Sequence, residues 1–279
     1  MVNKKKLTVA IIDTETTMRN NHSHLIFDFA FVIGNVYDEY CEVLEKNYLI
    51  TDTLSQPENF IFSYQDDETG QRVPYGLDGR YKPALERWAK GERYNVATWE
   101  YAYKQFWDYC SRMGVDVITA YNLNFDLKAM SKTQSQYTDK QLRLPNGIDK
   151  VCLMDICQTF VMNRDFKIWF EALDDSLKTQ FTTDKGNLSY SAECMYRYLF
   201  DDYHYTEQHT ALRDCRMEWK LIRHAFRKWE KDINKHFINN IRGVSWRNAN
   251  KVFTKKEKLE MRNKKKRTPR QAIQTELAL

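Results

Sequence analysis

The 279-residue sequence predicts an α/β fold, a mixed sheet with helical cover, on three observations. Short apolar runs rich in Val and Ile open the chain and are separated by brief polar turns. Later strand-like runs alternate with longer segments whose apolar residues recur every three to four positions. Strands first, then strands alternating with helices, is the order of a mixed sheet flanked by helices. A hydrophobic content of 42% with 14% aromatics is ample for a packed core, which excludes a disordered chain.

Taken in order, Leu7–Asp13 reads as a buried strand. Ile26–Val36 and Cys41–Ile50 follow, split by the polar turn Tyr37–Tyr40, so the first three strands form an antiparallel meander. Residues 51–95 hold Pro57, Pro74, Pro83, Gly70, Gly76, Gly79 and Gly91 and read as an insertion of loops with one short helix around Pro83–Lys90. Val96–Met113 reads as a helix with Tyr103, Phe106, Trp107, Cys110 and Met113 inward, stopped by Gly114. Asp116–Tyr121 returns as a strand and Leu123–Lys132 as a helix; Val151–Cys157 is a further strand, and Leu188–Phe200 and Thr210–Lys231 are helices. The division expected is one domain over residues 1–235, with a basic extension over 236–279.

No run approaches the roughly 18 to 20 apolar residues of a membrane span. Met1–Lys6 is basic, but Leu7–Ile12 is too short for the apolar core of a signal peptide. Six cysteines without any C-x-x-C point to free thiols in a reducing compartment. A cytoplasmic protein without membrane contact is the expectation. The net charge of +5 is uneven: residues 251–270 hold ten Lys/Arg against two Glu, leaving the rest of the chain at −3. Such a tail is either a solvated terminus or a contact for nucleic acid.

Three acidic stretches carry the chemistry. In TVAIIDTETT, Asp13 and Glu15 stand two apart on a strand, so both project from one face. In ITAYNLNFDLKAM, Asp126 opens a helix just after a strand, where α/β sheets place their sites; Asn122 and Asp126 also suit a plain turn and a helix N-terminus. In QHTALRDCRMEWKLIRHAF, Asp214 lies on the inward stripe Ala211, Cys215, Glu218/Trp219, Ile222 and Phe226, with His209 ahead of it. An acid on a packed face is costly unless it is paired or binds a cation. Were the four carboxylates to converge, no single Lys or Arg is evidently placed to neutralise them all. Mg²⁺ would, and phosphodiester hydrolysis by two such ions needs a proton acceptor of the histidine kind. His22 and His24 look like a ligand pair but sit in a loop, and Asp155 reaches toward the site from the last strand without an assigned role.

The ordered set D-T-E-T-T at Asp13–Thr17, N-x-x-F-D at Asn122–Asp126 and H-x-A-x-x-D at His209–Asp214 resembles the DEDDh 3′→5′ exonucleases of the DnaQ-like proofreading superfamily. The resemblance spans Leu7 to about Ala225. It implies a ribonuclease H-like fold with a five-stranded mixed sheet. It implies two Mg²⁺, with Mn²⁺ able to substitute: Asp13, Glu15 and Asp214 would hold the ion that activates water, Asp13 and Asp126 the other. His209 would be the general base. Thr16, Thr17, Met18, Asn122 and Phe125 would face the 3′-terminal nucleotide or support the site. Two positions depart from the family: Met18 stands where glycine is usual, and Tyr121 where histidine is common.

The activity so implied is removal of nucleoside monophosphates from the 3′ end of single-stranded or frayed DNA. The same chemistry on RNA, as in ribonuclease T-like proteins, is the near alternative, and a non-catalytic nucleic-acid-binding or accessory subunit is the alternative of another class. The basic tail offers contact with nucleic acid or with a DNA polymerase. If it contacts nucleic acid, removing residues 251–279 weakens oligonucleotide binding and flattens its dependence on salt, while turnover of saturating short oligonucleotides persists. An unchanged salt slope in a binding titration rejects that role.

Overall fold

A computed structural model describes residues 7–17, 24–38, 43–65, 72–90, 95–158, 165–183, 186 and 188–233. Met18, His22, Cys41 and the basic extension lie outside the described residues. The strands are β1 (Thr8–Thr16), β2 (Ile26–Asn35), β3 (Leu44–Ile50), β4 (Ile61–Gln65), β5 (Arg72–Leu77), β6 (Asn95–Ala97), β7 (Val117–Ala120) and β8 (Asp149–Cys152). The helices are α1 (Thr51–Leu54), α2 (Tyr81–Lys90), α3 (Trp99–Met113), α4 (Leu123–Thr138), α5 (Leu153–Ile156), α6 (Asp165–Ala172), α7 (Asp175–Lys178), α8 (Ala192–Phe200) and α9 (Ala211–Ile233).

The main sheet runs β6-β3-β2-β1-β7-β8. β1, β2 and β3 pair antiparallel, as the meander predicts, while β7 lies parallel to β1 and β8 parallel to β7. The sheet therefore has six strands rather than the five expected. The extra one, β6, is three residues on the edge, parallel to β3. It occupies the start of the segment read as helix, and α3 begins only at Trp99, where the Thr98 side chain caps Tyr101 N–H.

Period-two alternation assigns the faces of the sheet. Val9 and Ile11 of β1 with Ala30 and Val32 of β2 pack under α9, against Cys215, Trp219 and Ile222. Ala10 and Ile12 with Phe29, Phe31 and Ile33 pack under α3 and α4, against Trp99, Phe106 and Met130. Gly114 ends α3 with φ 61°, a left-handed value glycine adopts without strain.

Other boundaries depart from the sequence reading. Val151–Cys157 is not one strand: β8 ends at Cys152 and the chain turns into α5, so Asp155 is buried on a helix. A short apolar run without periodicity does not separate a strand from a buried helical turn. Trp107 is 39% exposed rather than inward, because Trp99 and Ala102 take the core positions on α3. α8 starts at Ala192, capped by Ser191, with Leu188 in an isolated bridge to Thr182. The insertion holds the β4–β5 hairpin as well as α2, fastened by Phe27, Leu49, Leu54, Phe60 and Ala84.

Gly34 shows how tightly α9 sits on the sheet. A Cβ there would lie 2.7 Å from Val43 Cγ1 and 2.9 Å from the Trp219 ring. Gly34→Ala should therefore destabilise the fold by about 1–3 kcal/mol, the usual cost of overpacking. Urea unfolding with an unchanged midpoint would contradict the contact.

Candidate functional site

The C-terminal ends of β1 and β7 and the first turns of α4 and α9 meet at one edge of the sheet. Asp13 and Glu15 stand on the β1 face that looks toward α9, as their spacing predicts. Glu15, His209 and Asp214 come together, each offering a ligand atom within 4.8 Å of the others; among the described residues they are the one such group. Glu15 and Asp214 are buried and His209 is exposed at the rim. Asp13 and Asp126 are outside that triplet but act on it and on each other electrostatically. Asp126 is buried and accepts a hydrogen bond from Thr14 Oγ1 at 2.9 Å.

Of the residues expected to face a substrate, Thr16 and Thr17 are buried, with Thr17 Oγ1 accepting from Leu25 N–H at 3.2 Å. Asn122 is exposed, with left-handed backbone at φ 73°. Phe125 is half-buried and meets the His24 ring edge-on at 5.6 Å. His204 is exposed. The departing residue Tyr121 donates its hydroxyl to Tyr190 O at 2.8 Å.

Burial is the first cause of the site's electrostatics. It pushes the Asp13 carboxyl well above the ordinary range, and the charges of Asp126, Glu218, Asp214 and Glu15 add to the shift. Burial also raises Asp126, against the lowering hydrogen bond from Thr14. Asp214 is pushed up to about 8 by burial, then by Glu207, Glu15 and Asp28. Glu15 is raised by burial despite the opposing charge of Arg80. Asp214 Oδ1 and Glu218 Oε2 are buried without a hydrogen-bond partner. Oxygens so placed are satisfied by a proton or a cation. Oxygen-rich donors of this kind suit Mg²⁺ or Mn²⁺, so the residues fit the divalent ions the motif implies.

Three participants escaped the sequence reading. Arg80, in the insertion, donates from Nη1 to Glu15 Oε2 at 3.0 Å and from Nη2 to Thr16 O at 2.8 Å, while its Nε and Nη2 hold Asp78. Asp28 sits opposite Glu15 in the β1–β2 register, fully buried. It is held by Arg87 of α2 at 2.6 Å, by Asn47 at 2.5 Å and by the backbone N–H of Ala211 at the start of α9. An acid inside the apolar run IFDFAFVIG is a legible signal for such a partner. Glu218, on the inward stripe of α9, adds a sixth carboxylate within electrostatic reach of Asp126 and Asp13; burial and then Asp126 raise it well above the ordinary range.

No protein-family model matches the sequence, and no match is found among curated proteins. Among solved structures the chain is similar to cell-death related nuclease 4, at TM-score 0.45 and 10% identity over 80% of this chain and 64% of that one. It is similar to Exonuclease I of Methylocaldum szegediense at 0.48 and 13%, over 84% and 43%, and to a full-length 3′-exonuclease at 0.46 and 13%, over 80% and 83%. The chain thus spans less than two thirds of the first two structures.

The raised carboxyls set a sign for pH. Between about pH 4, where free carboxylates ionise, and about pH 8, the folded state holds protons that the unfolded chain has lost, so stability falls as pH rises. In EDTA the thermal midpoint should drop from about pH 5 to about pH 8, and added Mn²⁺ should raise it most at the upper end. A midpoint that climbs over this window in EDTA contradicts the assignment.

Proposed function

We propose that the protein is a metal-dependent 3′→5′ exonuclease that hydrolyses the terminal phosphodiester of a nucleic-acid strand and releases nucleoside monophosphates. The observation that carries this reading is the grouping of Glu15, His209 and Asp214, drawn from motifs some 200 positions apart, beside two unpartnered buried carboxylate oxygens. The order and spacing of the D-T-E-T-T, N-x-x-F-D and H-x-A-x-x-D motifs support it from the sequence side.

Asp13, Glu15 and Asp214 would hold one ion and Asp13 with Asp126 the second. Bound there, the ions supply the Lewis acidity that makes water a nucleophile at neutral pH and offset charge on the leaving oxygen. His209 takes the proton from the attacking water, and its exposure at the rim lets it pass that proton to solvent. Thr14 fixes the rotamer of Asp126 through its hydroxyl, and Arg80 fixes Glu15. Single-stranded or frayed DNA is the preferred substrate; discrimination against RNA rests on contacts to the 2′-hydroxyl. A cytoplasmic location, and a polymerase docked on the basic extension, belong to the same reading.

A 5′-labelled oligonucleotide with Mg²⁺ should yield a ladder of shortened, still-labelled products, abolished by EDTA. Asp13→Ala should lower the rate by roughly 1000-fold or more, about 4 kcal/mol of barrier. His209→Ala should lower it by about 100- to 10,000-fold. Immediate release of labelled mononucleotide would instead show attack from the 5′ end, and undiminished activity in Asp13→Ala would refute the site.

A further inference from the structure

A cavity of about 340 Å³ opens directly beside His209, between α2 and the turn that leads into α9. Its walls are Arg80, Glu86, Arg87 and Lys90 on one side and Gln208 and His209 on the other. Pro83, Glu86, Arg87 and Lys90 recur at three- and four-residue steps, so a single face of α2 is presented to the cavity. The opposite side of that helix buries Ala84, and the Phe60 ring lies 4.4 Å from that of Tyr81. α2 is therefore fixed by its apolar side and by the Arg87–Asp28 ion pair, and its polar side is held against the candidate active site.

Resting on the exonuclease reading, we infer that this cavity is the subsite for the sugar–phosphate of the nucleotide adjoining the scissile linkage. Three features choose that ligand. His209 lines both the cavity and the acidic cluster, so whatever fills the cavity is continuous with the reacting phosphate. The lining sets the cations Arg80, Arg87 and Lys90, the Glu86 carboxylate and the Gln208 amide beside the apolar surface of Phe27 and Pro83, which matches a ligand that presents anionic oxygens and hydroxyls on a sugar ring. The volume is at the small end of the roughly 300–1000 Å³ of ligand pockets, which suits one nucleotide unit and not a base-paired end.

Within this lining the cations have different standing. Arg80 is spent largely on Asp78, Glu15 and the Thr16 carbonyl, and Arg87 on Asp28. Lys90 is exposed and, among the described residues, forms no ion pair, so its ammonium is the charge left for an incoming phosphate. The N-terminal end of α9, at Thr210, adds the positive end of a 23-residue helix to the same space. The insertion thus supplies the strand contact, with Lys90 on the α2 face that lines the cavity.

The test is a binding and kinetic cycle on single-stranded oligonucleotides, each carrying one neutral methylphosphonate linkage within the last three positions. In the wild-type protein one such linkage next to the scissile one should raise Kd and KM by about 5- to 10-fold. Lys90→Gln should raise both by a similar factor on the unmodified strand and lose its sensitivity to that linkage, whereas Lys104→Gln, the same charge removed from the exposed side of α3, should behave as wild type. Unchanged Kd in Lys90→Gln, or a neutral linkage that weakens variant and wild type equally, overturns the subsite. Kd is read by fluorescence anisotropy in EDTA, so the cycle is decided whether or not cleavage occurs. A wild-type protein that binds and discriminates the linkage but yields no product with Mg²⁺ would fail the exonuclease reading alone.

Discussion

The structure is organised around a surplus of buried negative charge. Asp13, Glu15, Asp28, Asp126, Asp214 and Glu218 all crowd the end of β1 and its flanks, and five of them are at most 8% exposed. A protein interior tolerates a carboxylate only if it is paired, hydrogen-bonded, protonated or bound to a cation. Pairing and hydrogen bonding both occur here. Glu15 and Asp28 take arginines, Asp126 takes a threonine hydroxyl, and Asp13, Asp214 and Glu218 are left to protons or metal. The residual demand for positive charge makes the site chemically able; a cluster neutralised throughout by side chains would have nothing to offer a cation.

The same demand explains the insertion. Glu15 and Asp28 face each other across the β1–β2 pair, and their arginines both come from residues 80–87. Two buried or half-buried ion pairs from one short segment fix its distance and its rotation at once. Removing either arginine would leave an uncompensated acid under the site, a costly event for a buried group. The insertion is thereby part of the site and not an ornament on the sheet, and its cation-bearing face is held beside His209 as a consequence.

Much of this was legible in the sequence, for a definite reason. β1 and α9 are long, periodic and built on alternations that only one face assignment satisfies, so the positions of Asp13, Glu15 and Asp214 followed from counting by two and by three or four. β2 is buried on both faces, and Asp28, the acid within its apolar run, was passed over when the strand was read. What the sequence concealed depends on long-range partners. Nothing local to Arg80 announces that Glu15 lies 65 residues upstream in reach of its guanidinium. β6 is too short to show a period, and Asp155 changed from strand to helix because the run around it is apolar on every side. Trp107 misled because hydrophobicity alone does not tell which of two adjacent helical stripes is the deeper one.

The two helices that deliver acids to the site enter it by the same device. Asn122 and His209, which begin the second and third motifs, have left-handed backbone at φ 73° and 48°. Such values are uncommon outside glycine and are found with Asn and His more often than with other side chains. Each turns the chain sharply just ahead of a helix, and each is followed one helical turn later by an acid in the first turn, Asp126 in α4 and Asp214 in α9. The turns are closed by Phe125 N–H on Asn122 O and by Arg213 and Asp214 N–H on Thr210 O. An acid at that position is favoured by the positive end of the helix, which offsets part of the cost of its burial. The residues that strain the backbone and the residues that hold the charge are thus one design repeated, and the identity of Asn122 and His209 is constrained by conformation before any chemistry is asked of them.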